Sequence, residues 1–165
     1  MAESILVKLL EHNNWANLRI IQACAALSDD QLDAEPQAAT KGSIRQTLVH
    51  LVASQRGYLS LLTLPVEERL DSPPAFADSA KAASASGEGL LALARDEPGK
   101  YPKTRLQTTD GFFVQPWVVM VQVINHATEH REQICSMLTT LGGTPPDLDG
   151  WAYGEASGAL IPVST

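Results

Sequence analysis

His126 and His130 stand four residues apart, which on a helix puts both imidazoles on one face, about one turn from each other. That spacing lets both rings reach one metal ion. Val123, Ala127, Ile134, Met137, Leu138 and Leu141 recur through the same stretch at helical intervals. At about 100° per residue the two histidines fall inside this apolar stripe, so both point inward. Imidazole nitrogen suits zinc, nickel, copper or iron. A single HxxxH pair does not make a site, because packed, hydrogen-bonded histidines share that spacing. A third ligand from another helix would tip the balance, and His50 is the candidate. Three protein nitrogens leave a coordination position for water or substrate, the pattern of a catalytic rather than a structural metal. Such an ion acts as a Lewis acid and lowers the pKa of bound water or thiol.

A second motif competes for the same residues. His126-Ala127-Thr128-Glu129-His130 matches the H-x-x-E-H pattern of inverzincin metallopeptidases, in which the glutamate is the general base. That reading needs a distant carboxylate as third ligand. The only glutamates after His130 are Glu132, too near along the helix, and Glu155. Glu129 therefore reads as a carboxylate supporting a ligand or facing solvent.

Two further residues carry a sharper and a plainer reading. His12, four residues from Ala16, is a surface or capping histidine, or an acid–base group near the metal. Arg131 orients an anionic substrate, or is a solvated helix-face arginine.

The elements that must position these groups follow in order. Leu6, Leu9, Leu10, Ile20, Ile21 and Cys24 predict a first amphipathic helix over about Ser4–Leu27, unusually polar across His12-Asn13-Asn14-Trp15-Ala16-Asn17. Trp15 reads as a packing anchor. Ser28-Asp29-Asp30-Gln31 reads as a helix stop and a short capped turn, and Asp33–Gly42 as a loop punctuated by Pro36. Ser43 is an N-cap for a second long helix, ending at about Leu64 before Pro65. Its stripe is Ile44, Leu48, Leu51, Gln55, Leu59 and Leu62. His50 lies about 120° from the centre of that stripe. Val49, Val52, Leu61 and Leu64 make the helix apolar over much of its circumference, so burial on more than one side would present His50 to a neighbour.

A loop from Pro65 to Pro74 leads to an alanine-rich third helix over about Pro74–Arg95, with Gly87 and Gly89 predicting a kink or weak stretch. From Pro98 to Gln115 the helical pattern breaks. Leu106–Thr109 and Phe112–Val114 flank Asp110-Gly111, a hairpin signal; two strands alone are marginal, so the ribbon should lie on the helices. Pro116 opens the last long helix, which runs to about Leu141 and is ended by Gly142-Gly143 and Pro145-Pro146. Trp151 and Tyr153, in the Gly-rich tail, are expected to cover the bundle. The architecture expected is all-α: a four-helix bundle with a short β-hairpin inserted before the last long helix. Bundle cores commonly host metal sites built from facing helices.

The chain has 165 residues, a length that suits one domain spanning residues 1–165. Its formal charge of −7 argues against nucleic acid or an anionic membrane as partner. No run approaches the ~20 apolar residues of a transmembrane helix, and Met1-Ala2-Glu3-Ser4 lacks a positive n-region. Cys24 and Cys135 have no zinc-type spacing and read as reduced core thiols of a cytoplasmic protein.

Four blocks then carry a family resemblance: Asn14-Trp15-Ala16-Asn17, the stretch Ser43–Leu51, the stretch Asn125–Ile134, and Leu141-Gly142-Gly143-Thr144-Pro145-Pro146. In this order and spacing they resemble the DinB-like (DinB/YfiT-like) superfamily of metal-dependent enzymes. The resemblance implies a four-helix bundle, frequent homodimers, and a metal held by three histidines corresponding to His50, His126 and His130. A divalent transition metal, zinc or nickel first, is the ion expected there. The resemblance also implies a small-molecule substrate, since better-understood members resemble S-transferases and isomerases using a low-molecular-weight thiol: glutathione, mycothiol or bacillithiol. An acidic residue often follows the helix-two histidine by about five positions, where this chain carries Gln55. The leading expectation is a metal-dependent thiol S-transferase, with hydrolysis second. The rival is a binding or stress-response scaffold whose ion is structural or vestigial.

Overall fold

Ser4 caps the first helix, its hydroxyl accepting from the Leu6 amide, and α1 runs over Ile5–Ala25. The computed structural model describes residues 4–35, 42–69, 72–95 and 101–163; Pro36, read above as loop punctuation, and Pro98, from which the helical pattern is expected to break, lie outside them. Ser28 and Gln31 form a capping box that opens α2, Asp29–Asp33, so the capped turn is a short helix. Ser43 and Gln46 form another, at the start of α3, Ile44–Thr63, which stops where Pro65 forbids continuation. After α4, Ser79–Ala94, and α5, Pro116–Thr140, comes α6, Gly150–Ala156, capped by Asp149. The described chain is mostly helical.

The closest-packed pairs of long helices are α3 with α5, α1 with α4, α3 with α4, and α1 with α5, a ring in the order α1–α4–α3–α5. One core cluster centres on Ile20, Ile44, Leu48, Leu51 and Ile134. The other centres on Leu10, Leu62, Leu90, Met120 and Val123. No helix among the described residues is long and apolar enough to cross a membrane.

Several expectations change. The third long helix begins at Ser79 rather than Pro74, because Phe76–Asp78 form a separate 3₁₀ turn. That turn is pinned by Phe76, which packs on the core beneath the Arg45 guanidinium, 4.8 Å from the ring centroid. Helix α4 is continuous through Gly87 and Gly89. These glycines mark close approach: a Cβ on Gly87 would meet Asn14 Oδ1 at 2.5 Å, and one on Gly89 would meet Leu59 Cδ2 at 2.6 Å. Leu9, placed on the apolar stripe of the first helix, is exposed.

The hairpin is present, as β1, Leu106–Gln107, and β2, Phe113–Val114, with Leu106 opposite Val114 and Gln107 opposite Phe113. Its loop is longer than Asp110-Gly111 alone. Thr108 N–H donates to Phe112 O at 2.8 Å, and the Thr108 hydroxyl accepts from the Phe112 amide at 2.9 Å. Thr109, Asp110 and Gly111 span the gap, and Gly111 supplies the positive φ of 90° that such a three-residue loop requires. Leu106 and Val114 pack the ribbon onto the second core cluster.

At the end of α5, Gly142 adopts a φ of 80° and Gly143 N–H donates to Leu138 O at 2.9 Å, a Schellman ending. The tail then folds back on α1. Tyr153 packs on His12 and Trp15, as expected of a cover, whereas Trp151 is 73% exposed.

Candidate metal centre

His50 is carried by α3, and His126 and His130 by α5, the two helices in most extensive contact. Helix α3 also packs on α4 and α2, and burial on several sides lets a residue off its main stripe face a neighbour. His50 and His126 are half-buried, and His130 is only 4% exposed.

The three rings converge through one kind of atom. His50 Nε2 lies 3.2 Å from His126 Nε2, and His130 Nε2 lies 3.1 Å from it. Their ligand atoms all fall within 4.8 Å of one another, and among the described residues no other group of histidine, cysteine and acidic side chains converges in this way. Nitrogens sharing a tetrahedral ion at about 2.0–2.1 Å stand about 3.3 Å apart, close to both separations. A proton on His126 Nε2 would have to be shared between two neighbours, whereas a cation among the three satisfies every lone pair. The donor set fits a divalent transition metal.

Two neighbours shape the group. His130 Nδ1 is 2.7 Å from Gln133 Oε1. Donating its Nδ1 proton to that oxygen leaves the Nε2 lone pair aimed at the other rings. Tyr58 sets its ring edge against His126, with centroids 5.7 Å apart. Burial raises the Tyr58 phenol above its ordinary value, against a hydrogen bond with Gln122 that lowers it, so at neutral pH this wall is uncharged. Glu129 is exposed, and the third member of the group is His50 rather than a carboxylate, which removes the metallopeptidase reading.

One comparison with known families decides the assignment: residues 1–160 match the model described as the DinB family. The chain belongs to the DinB family. No curated protein matches it significantly. Membership in the DinB family and the histidine cluster together support a metal-binding protein.

The other two residues singled out in this DinB chain lie elsewhere. His12 meets Leu148 O at 2.7 Å and packs, with its ring tilted, against Trp15 and Tyr153. Arg131 is not a solvated helix-face arginine; it is 3% exposed. Its Nη1 donates to Asn13 Oδ1 at 2.8 Å and Asn17 Oδ1 at 2.6 Å, and its Nη2 donates to Thr128 Oγ1 at 3.0 Å. Burial pulls the guanidinium down to about 10, so it remains a cation at neutral pH. His12 and Arg131 both line a cleft of ≈ 410 Å³ whose walls include none of the three clustered histidines.

The polar stretch of α1 is explained by a buried chain of hydrogen bonds. Asn17 Nδ2 donates to Gln55 Oε1 at 2.8 Å, and Gln55 Nε2 donates to Ala83 O at 2.9 Å and Ser86 Oγ at 2.8 Å. Starting from Arg131, this chain ties α5 to α1, α3 and α4. It gives Gln55 a physical reason: its amide must accept on one side and donate to a backbone carbonyl on the other, which a carboxylate cannot do.

Cys24 and Cys135 are free thiols. Burial raises Cys24 to about 12 and Cys135 to about 11, so neither is a ready thiolate.

Proposed function

We propose that this chain is a single-domain, cytoplasmic metalloenzyme built as a four-helix bundle, in which His50, His126 and His130 hold zinc or nickel. The reaction proposed is S-transfer from a low-molecular-weight thiol to a small electrophilic substrate. The observation that carries this reading is the convergence of three Nε2 atoms at 3.1 and 3.2 Å from two helices, inside a DinB-family chain. A divalent ion held there supplies Lewis acidity, favouring the deprotonated form of a thiol or water brought to it.

The chain's own residues supply the rest. Gln133 holds the His130 Nδ1 proton and so keeps its other nitrogen available. Tyr58 gives the His126 side an uncharged aromatic wall. The protein's own cysteines are held as thiols, so the reacting sulfur comes from a separate molecule. In the transfer the thiolate sulfur forms a C–S bond to the electrophile, whose leaving group departs with the bonding pair; the thiol proton passes to solvent. A homodimer completes the proposal, on the family's pattern.

The test is to follow free-thiol loss with glutathione, mycothiol and bacillithiol across a panel of alkyl and aryl electrophiles, using metal-loaded protein. Turnover with one thiol, abolished in His50→Ala, supports S-transfer. Hydrolysis of activated esters without thiol consumption would replace it with the hydrolytic reading. Neither activity, with metal bound, would leave a binding scaffold.

A further inference from the structure

The cleft lined by His12 and Arg131 has an electrostatic composition that the metal centre does not use. One wall is α5, with Arg131, Thr128 and Glu132; opposite it, the chain after Pro145 contributes Asp147 and Asp149. Arg131 is buried with only neutral oxygens on its guanidinium, those of Asn13, Asn17 and Thr128. No carboxylate lies within ion-pair distance of it among the described residues. Three of its five N–H donors are occupied, and a guanidinium accepts none. A buried cation with no carboxylate in direct contact, and with nearby Glu132 acting on it only through space, at the edge of an open cleft favours an anionic group.

The carboxylates on both walls select for the other sign. Glu132, Asp147 and Asp149 are exposed at the cleft, which repels a phosphate or a dicarboxylate. They do not form a converged metal-binding group either. Asp149 Oδ1 already caps α6 by accepting from Ala152 N–H at 2.8 Å, leaving Asp147 and Glu132 as the available partners for a cation. His12 is fixed at the rim by its bond to Leu148 O. The volume of ≈ 410 Å³ lies within the range of small-molecule sites.

We propose that this cleft binds a small zwitterion of the α-amino acid class, its carboxylate on Arg131 and its ammonium between Glu132 and Asp147. The site is separate from the histidine cluster, and occupancy of one does not require the other. Nuclear magnetic resonance of the isotope-labelled full chain tests this. It would be titrated with each standard L-amino acid, then with the N-acetyl and amide derivatives of any that bind. The expected result is saturable shifts at Arg131 Nε–H, His12 and Leu148 with at least one amino acid. Binding should fall at least about tenfold in both derivatives, and about tenfold in Asp147→Asn, an exposed change that leaves the core untouched. No saturable shift with any amino acid, shifts mapping away from the cleft, or N-acetyl derivatives binding as tightly as their parents would overturn the proposal.

Discussion

Gln133 Oε1 lies 2.7 Å from His130 Nδ1, three residues further along α5. A helix brings residues at that spacing together without help from the rest of the fold. The pair therefore orients the most buried imidazole of the cluster through a contact within α5 alone. Gln133→Ala should lower metal affinity about 10- to 100-fold, the usual cost of losing such a supporting bond. Gln133→Glu keeps an acceptor there and should stay close to the parent. Competition against a chromophoric chelator measures both; an alanine variant with unchanged affinity would remove Gln133 from the account.

The buried chain Arg131–Asn17–Gln55 predicts coupling between residues on two different helices, α5 and α3, joined through Asn17. Gln55→Met leaves Asn17 Nδ2 without its acceptor, and Arg131→Met leaves the oxygens of Asn13 and Asn17 without their donor. Each should cost about 2 kcal/mol in chemical denaturation. Because both act through Asn17, the double variant should cost less than the sum by more than about 0.5 kcal/mol. Simple additivity would mean the chain is a set of separate contacts.

Three helix-interior glycines should respond in opposite directions. Gly87→Ala places a Cβ 2.5 Å from Asn14 Oδ1, and Gly89→Ala one 2.6 Å from Leu59 Cδ2, so both should destabilise by about 1–3 kcal/mol. A Cβ on Gly57, inside α3, meets nothing within 4 Å. Gly57→Ala should stabilise by about 0.5–1 kcal/mol through helix propensity alone. Thermal unfolding of the three variants checks this, and a stabilising Gly87→Ala would contradict the close packing of α4 on α1.

What could be read from the chain alone follows how local each feature is. His126 and His130 were legible because a fixed spacing on one helix decides their face, and Ser43 because capping is local. His50 was not placed by periodicity, since its direction depends on α3 being packed on several sides; the family resemblance brought it in. The sequence leaves Arg131 open between a substrate-orienting and a solvated role, because the partners that bury it, Asn13 and Asn17, come from a distant helix. Gly87 and Gly89 look like weak points until Asn14 and Leu59 are seen against them. Helix α6 was not foreseen, because its glycines hide a helix whose start is set by the Asp149 cap.

The most direct measurement is elemental analysis of untagged protein beside His50→Ala, His126→Ala and His130→Ala, each confirmed folded by circular dichroism. The account predicts zinc or nickel near one ion per chain, lost in all three variants. Folded parent protein that carries no metal and takes none up on addition would contradict it.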